Sequence, residues 1–167
     1  MSAASPSAVS RVFTSVIAGA SIPMALIIPA WITAGRMLVG ADGRLVTVFA
    51  LTAGPLLAVL MLTAAVKITA GAAARTTFGA PMKTSVLLLA NWFLGGIFGF
   101  FVPDFGTPQA GSVFSSLAGP EVLGYSAALA NPFGIATLFI TVVVLVRAFR
   151  DASRSRSTGI GQRVPLG

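Results

Sequence analysis

The chain has 167 residues, of which 56% are hydrophobic and 9% charged, with a mean hydropathy of +0.93. A soluble domain carries about 25% charged residues to keep a water-compatible surface. Eleven Lys+Arg and four Asp+Glu cannot supply one, which excludes a soluble enzyme, a disordered chain and a nucleic-acid-binding domain. The bilayer is the expected solvent and partner, and the pI of 11.7 is read as topology-setting cations rather than a nucleic-acid signal.

The chain has no cysteine and no histidine. That removes thiolate and imidazole chemistry, the usual metal ligands and the commonest general base. The four acids, Asp42, Asp104, Glu121 and Asp151, fall outside the long apolar runs. The expectation is therefore a non-enzymatic protein with no cofactor, no metal and no catalytic residues. Nine Arg against two Lys in an Ala- and Gly-rich chain point to a bacterial source of high GC content.

A spanning helix needs about 20 apolar residues to cross ~30 Å of hydrocarbon. Arg11 and Arg36 bracket a first uncharged run, 12–35, and Arg44 and Lys67 bracket a second, 45–66. Lys83 and Asp104 bracket a third, 84–103, and a fourth, 123–147, ends at Arg147. The first is read as an uncleaved span, because only six apolar residues precede its Ala-Gly-Ala and the run continues beyond it. Unpaired backbone groups are too costly in lipid for anything but helices. The predicted fold is thus an all-α, four-helix transmembrane bundle over 1–150, with a basic, disordered tail over 151–167.

Charge bias sets the sides. Arg11, Lys67, Arg75, Lys83, Arg147, Arg150, Arg154, Arg156 and Arg163 fall on one side, against Arg36 and Arg44 on the other. Both termini are predicted cytoplasmic, in the plasma (inner) membrane of a bacterium. Trp31 and Tyr125 fit an outer aromatic belt, whereas Trp92 lies well inside the third span.

Inside the spans, Asn91 with Trp92 forms the candidate polar site. It is read either as an interhelical hydrogen bond or as a ligand-coordinating amide. Gly95 and Gly99 make a GxxxG step, and Gly54 sits in a similar small-residue row; both allow close helix approach, within the chain between spans two and three or in a homodimer. Pro23, Pro55 and Pro132 are candidate kinks. The segment between spans three and four holds Ala110, Val113, Phe114, Leu117 and Ala118 at helical spacing, either a short interfacial helix or a loop resting on the bundle. Starts at Pro120 and at Asn131-Pro132 leave the fourth span either kinked or split. Arg147, Arg150, Arg154 and Arg156 are candidate contacts for anionic lipid headgroups.

Two functions remain on these grounds. One is an accessory or scaffold-type membrane protein acting through helix packing, with itself or with another membrane protein. The other is a small oligomeric channel or transporter with Asn91 and the kinked helices lining the path.

Overall fold

A computed structural model describes residues 7–160, with side chains described as far as Ser153. All regular secondary structure in it is helical, in the order α1 (Ala8–Ala34), α2 (Arg44–Leu51), α3 (Ala53–Ala73), α4 (Met82–Phe101), α5 (Val113–Ala118) and α6 (Leu123–Ile160). Four helical stretches are long and apolar enough to cross a membrane: Ala8–Val39, Ala53–Ala73, Met82–Phe101 and Pro120–Ser153. The expected four-helix bundle is present, and so is a short helix between the third and fourth spans.

The four long helices form a ring in which α1 packs on α3, α3 on α6, α6 on α4 and α4 back on α1. Among the described residues α3 and α4 lie diagonally opposite and do not approach closely. The interior is lined by small side chains, including Ala18, Ala25, Ala64, Ala65, Ala72 and Ala148, interleaved with Ile17, Ile28, Met61, Ile68 and Leu88. Large apolar side chains such as Val12, Leu26, Leu56, Phe93, Ile135 and Phe139 instead point outward. Apolar groups outside and small or polar groups inside are the arrangement expected where lipid replaces water and close packing drives helix association.

Local sequence explains where the helices begin and stop. Ser7 caps α1 by accepting from the Ser10 N–H at 3.2 Å. Beyond α1 the chain tightens into a 3-10 turn over Gly35–Val39 and leaves it at Gly40, whose φ of +67° suits a residue without a Cβ. The second hydrophobic run does not form one helix. Pro55 has no N–H for the carbonyl four residues back and its ring crowds that carbonyl. Four residues back is Leu51, the last residue of α2, and Thr52 (φ −129°, ψ −86°) forms the break. The spanning helix α3 consequently runs on past the expected end at 66 to Ala73. Its Lys67 is accommodated with the ammonium 5.3 Å from the centre of the Phe149 ring on α6.

Pro23 and Pro29 lie inside α1, and Pro132 inside α6. The fourth span is one helix from Leu123, so Asn131-Pro132 is not a second start. α5 opens with a reciprocal cap: Ser112 Oγ accepts from the Ser115 N–H at 2.9 Å, and Ser115 Oγ from the Ser112 N–H at 2.9 Å. Its buried side carries Ser112, Val113 and Ser115, whereas Leu117, read from the spacing as sharing a face with Val113, is 71% exposed. Helix α6 continues to Ile160, and the tail residues 161–167 lie outside the described part.

Candidate functional site: a polar seam and a charged clamp

Polar side chains are few, and several of those inside the bundle tie helices pairwise, whereas Ser85 Oγ and Thr33 Oγ1 have no hydrogen-bond partner among the described residues. Ser21 on α1 lies 3.0 Å from Thr69 on α3, hydroxyl to hydroxyl. On α4, Asn91 donates its amide to Thr141 Oγ1 on α6 at 3.0 Å, with Thr141 Oγ1 also 3.2 Å from Asn91 Oδ1. Thr141 in turn reaches the Thr137 carbonyl of its own helix at 2.8 Å. Toward the end bearing the N-terminus, Thr84 on α4 donates to Asp151 on α6 at 3.2 Å. Asn91 and Thr141 are about 1% exposed. Asn91 therefore sits in an interhelical hydrogen bond, with a threonine of the fourth span rather than with its neighbour Trp92.

Trp92 is buried, and its indole N–H meets no hydrogen-bond acceptor among the described residues. The void at the centre, lined by Ser21, Met61, Leu88, Asn91, Trp92 and Thr141 among others, measures about 10 Å³. A water molecule needs roughly 10–15 Å³. The midplane is thus packed, with room for one water at most.

The end of the bundle remote from the N-terminus holds the feature that sequence reading did not find. Arg36 and Asp104, both taken from the sequence as loop charges, are 1% and 5% exposed. Arg36 Nε lies 3.3 Å from Asp104 Oδ2, close enough for an ion pair although its N–H is not directed into a hydrogen bond. The rest of the guanidinium is spent on backbone: Nη1 donates to the Val102 carbonyl at 3.1 Å, and Nη2 to those of Ile32 and Thr33 at 3.2 and 3.3 Å. Its carbon lies 5.5 Å from the centre of the Phe49 ring. Asp104 accepts from the N–H groups of Leu45 (2.6 Å), Val46 (3.1 Å) and Phe105 (2.7 Å).

This geometry follows from what the local sequence lacks. The residue preceding α2 is Gly43, which has no side chain with which to cap the first turn. Asp104, arriving from the end of α4, supplies the missing acceptor to the orphan N–H groups of Leu45 and Val46 and places a negative charge at the helix N-terminus. Gly43 is also the residue that allows the approach, since a Cβ there would meet the Phe105 carbonyl oxygen and Asp104 Oδ1. The loops around the pair are joined by backbone bonds: Arg44 N–H to Phe105 O (2.9 Å), Asp104 N–H to Gly111 O (2.8 Å) and Gly111 N–H to Ala41 O (3.1 Å). Ser126 on α6 closes the other flank by donating to the Phe101 carbonyl at 2.6 Å. α1, α2, α4 and α6 are held together at this end by one continuous polar cap.

The glycine steps are used inside the chain. A Cβ on Gly95 would come within 2.5 Å of Ile28 and one on Gly99 within 2.5 Å of Trp31, both on α1. Trp31 lies across this step and donates its indole N–H to the Gly96 carbonyl at 2.9 Å. The partner of span three at this glycine step is therefore span one. The expected packing between spans two and three does not occur, because α3 and α4 are diagonal in the ring. Gly54, at the start of α3, faces Thr33 of α1 and the Phe49 carbonyl.

Among the candidate lipid contacts, Arg147 is half-buried and Arg150 exposed, while the side chains of Arg154 and Arg156 lie outside the description. The fold and its seam define a helical bundle with the features of a multi-pass membrane protein. No protein-family model, no curated protein and no solved structure matches the chain.

Proposed function

We propose that this is a multi-pass protein of the bacterial plasma membrane, with both termini cytoplasmic, that acts as an accessory or scaffold protein through its helix surfaces. The observation that carries this reading is the closed interior. The one amide at mid-depth is consumed by Thr141, the void beside it measures about 10 Å³, and the far end is sealed by the Arg36–Asp104 cap. A path for solutes would need a continuous wet line of polar groups along the axis. Ser21, Thr84 and the Asn91–Thr141 pair join helices instead, and the Trp92 indole N–H, unpartnered among the described residues, borders a void of only about 10 Å³.

The outer surface supports a packing role. Near the α2–α3 break an apolar recess of about 230 Å³ is lined by Phe49, Leu56, Leu57, Phe98, Gly134 and Leu138. Its walls are almost wholly apolar, which suits a side chain from a neighbouring transmembrane helix.

Reconstitution into vesicles separates this role from the channel or transporter alternative. No protein-dependent leak is expected over a broad panel of ions and small solutes, with wild type and Asn91→Ala alike. Flux that depends on Asn91 would overturn the proposal. A photo-crosslinking residue at Leu56, which is 59% exposed at the recess, should capture another membrane-spanning chain or a second copy. Attachment to lipid alone would count against the packing role.

A further inference from the structure

At the end opposite the charged cap, α1 and the connection from α3 to α4 enclose a cleft of about 240 Å³ whose polar lining includes Ser10, Arg11, Thr14, Arg75 and Thr77. Its walls are fixed. The Ala80 N–H donates to the Thr14 carbonyl at 3.3 Å, and Ser15 Oγ donates to the Phe78 carbonyl. Gly79 lies flat on α1, since a Cβ there would come within 2.9 Å of Thr14 Oγ1. Arg75 Nη1 donates to the Gly79 carbonyl at 3.2 Å, which sets its guanidinium across the loop and leaves further donors available.

Among the described residues the Arg11 guanidinium makes no hydrogen bond or ion pair and no carboxylate lines the cleft. Two guanidinium groups beside the Thr77 hydroxyl, without an acid, form a phosphate-binding composition, the Ser10 and Thr14 hydroxyls being donated to the Ser7 and Arg11 carbonyls. A second, more open groove of about 530 Å³ adjoins it and shares Arg11, Thr77 and Phe78. This groove runs along α1 past Val12 and Val16, which are 64% and 60% exposed. A cationic cleft continuous with an apolar groove at the end of a spanning helix matches one kind of molecule: a phosphate head attached to a hydrocarbon chain.

We propose that Arg11 and Arg75 hold the phosphate of an anionic phospholipid in this cleft, with an acyl chain laid along Val12 and Val16. The site is separate from the tail arginines and does not depend on the packing role proposed above.

Native mass spectrometry of the detergent-solubilised full-length protein, titrated with phosphatidylglycerol, phosphatidylcholine or inorganic phosphate, tests it. Phosphatidylglycerol should bind saturably, one per chain, and more tightly than phosphatidylcholine. Inorganic phosphate should not displace it. Each membrane-surface cation adds about fivefold to the attraction of an anionic lipid. Arg11→Gln and Arg75→Gln should therefore each weaken binding about fivefold, while Lys83→Gln, an exposed cation of the same end that does not line the cleft, leaves it unchanged and Arg11→Lys largely restores it. The Arg11 guanidinium makes no hydrogen bond or ion pair among the described residues, so its variant decides the matter even if Arg75→Gln disturbs the loop. Equal binding of the two lipids, or an equal loss in Lys83→Gln, would reduce the effect to diffuse attraction and overturn the site. Displacement by inorganic phosphate would make it a site for the soluble ion and overturn the lipid assignment.

Discussion

Arg36 and Asp104 meet at 3.3 Å in the sealed end of the bundle, and each is held mainly by backbone rather than by the other. Arg36 neutralises carbonyls at the end of α1 and after α4, while Asp104 neutralises N–H groups at the start of α2. The pair therefore converts three sets of unsatisfied backbone ends into one clamp. That matters where chain leaves the hydrocarbon, because each unpaired group there carries a desolvation cost.

Asp104→Asn should be among the most damaging single changes in the protein. It leaves the Arg36 charge buried without its counter-ion and weakens the acceptor at the α2 N-terminus. Breaking one side of a buried pair costs about 3–5 kcal/mol. Thermal unfolding in detergent should show a large fall in midpoint. Combining the change with Arg36→Met should cost less than the two separate losses added together, because the stranded charge is gone. Strict additivity would mean that the two residues act independently.

The three glycines of α4 should separate cleanly. Gly95→Ala and Gly99→Ala push a methyl group into Ile28 and Trp31 and should destabilise by about 1–3 kcal/mol, the usual range for overpacking. Gly96 has nothing within 4 Å of an added Cβ, so Gly96→Ala should be neutral or stabilising by up to about 1 kcal/mol through helix propensity. Equal damage at all three positions, read from melting midpoints, would contradict the packing of α4 on α1.

How much of this was legible in the sequence depends on whether the signal was local. The four spans showed because lipid demands long apolar runs, and the residue spacing before the fourth span left a short helix or a loop resting on the bundle open, of which α5 is the helix. The break at Thr52 was present in principle in Pro55, whose ring acts four residues back, but a proline inside a hydrophobic run does not by itself distinguish a bend from a break. Lys67 looked like a span boundary because its accommodation depends on Phe149, more than eighty residues away. Asn91 was legible as a polar group needing a partner, yet Thr141 was one hydroxyl among several. The Gly95–Gly99 step announced close packing without naming α1. Arg36 and Asp104 each looked like an ordinary loop charge, and only the ring order of the helices brings them together. The available hint was that two opposite charges sit at matching ends of spans one and three.

Thr141→Val keeps the shape of the side chain and removes the partner of the Asn91 amide. Interhelical hydrogen bonds in membranes are worth about 0.6–2 kcal/mol, so the loss should fall in that range. Adding Asn91→Leu should recover part of it, because an apolar pair leaves no buried amide to satisfy. Unfolding titrations of the single and double variants measure both quantities. A double variant less stable than Thr141→Val would show that the amide has a further partner worth keeping.

Cysteine scanning should establish the orientation, and the structure dictates where the reporters can go. Ser112, in the segment expected on the outer side, is fully buried and bonded to Ser115 and Ser126, so a thiol there would be protected on either side of the membrane. Gln109, in the same connection, is exposed, as is Ser153 near the end of the described part of α6. In intact cells a membrane-impermeant thiol reagent should label Gln109→Cys and spare Ser153→Cys, with Ser153→Cys reacting after permeabilisation. The expectation rests on the charge bias of the sequence, which assigns nine of the eleven cations to the Ser153 side. Labelling in the reverse order would place the Arg36–Asp104 cap in the cytoplasm, and the basic end with its Arg11–Arg75 cleft outside.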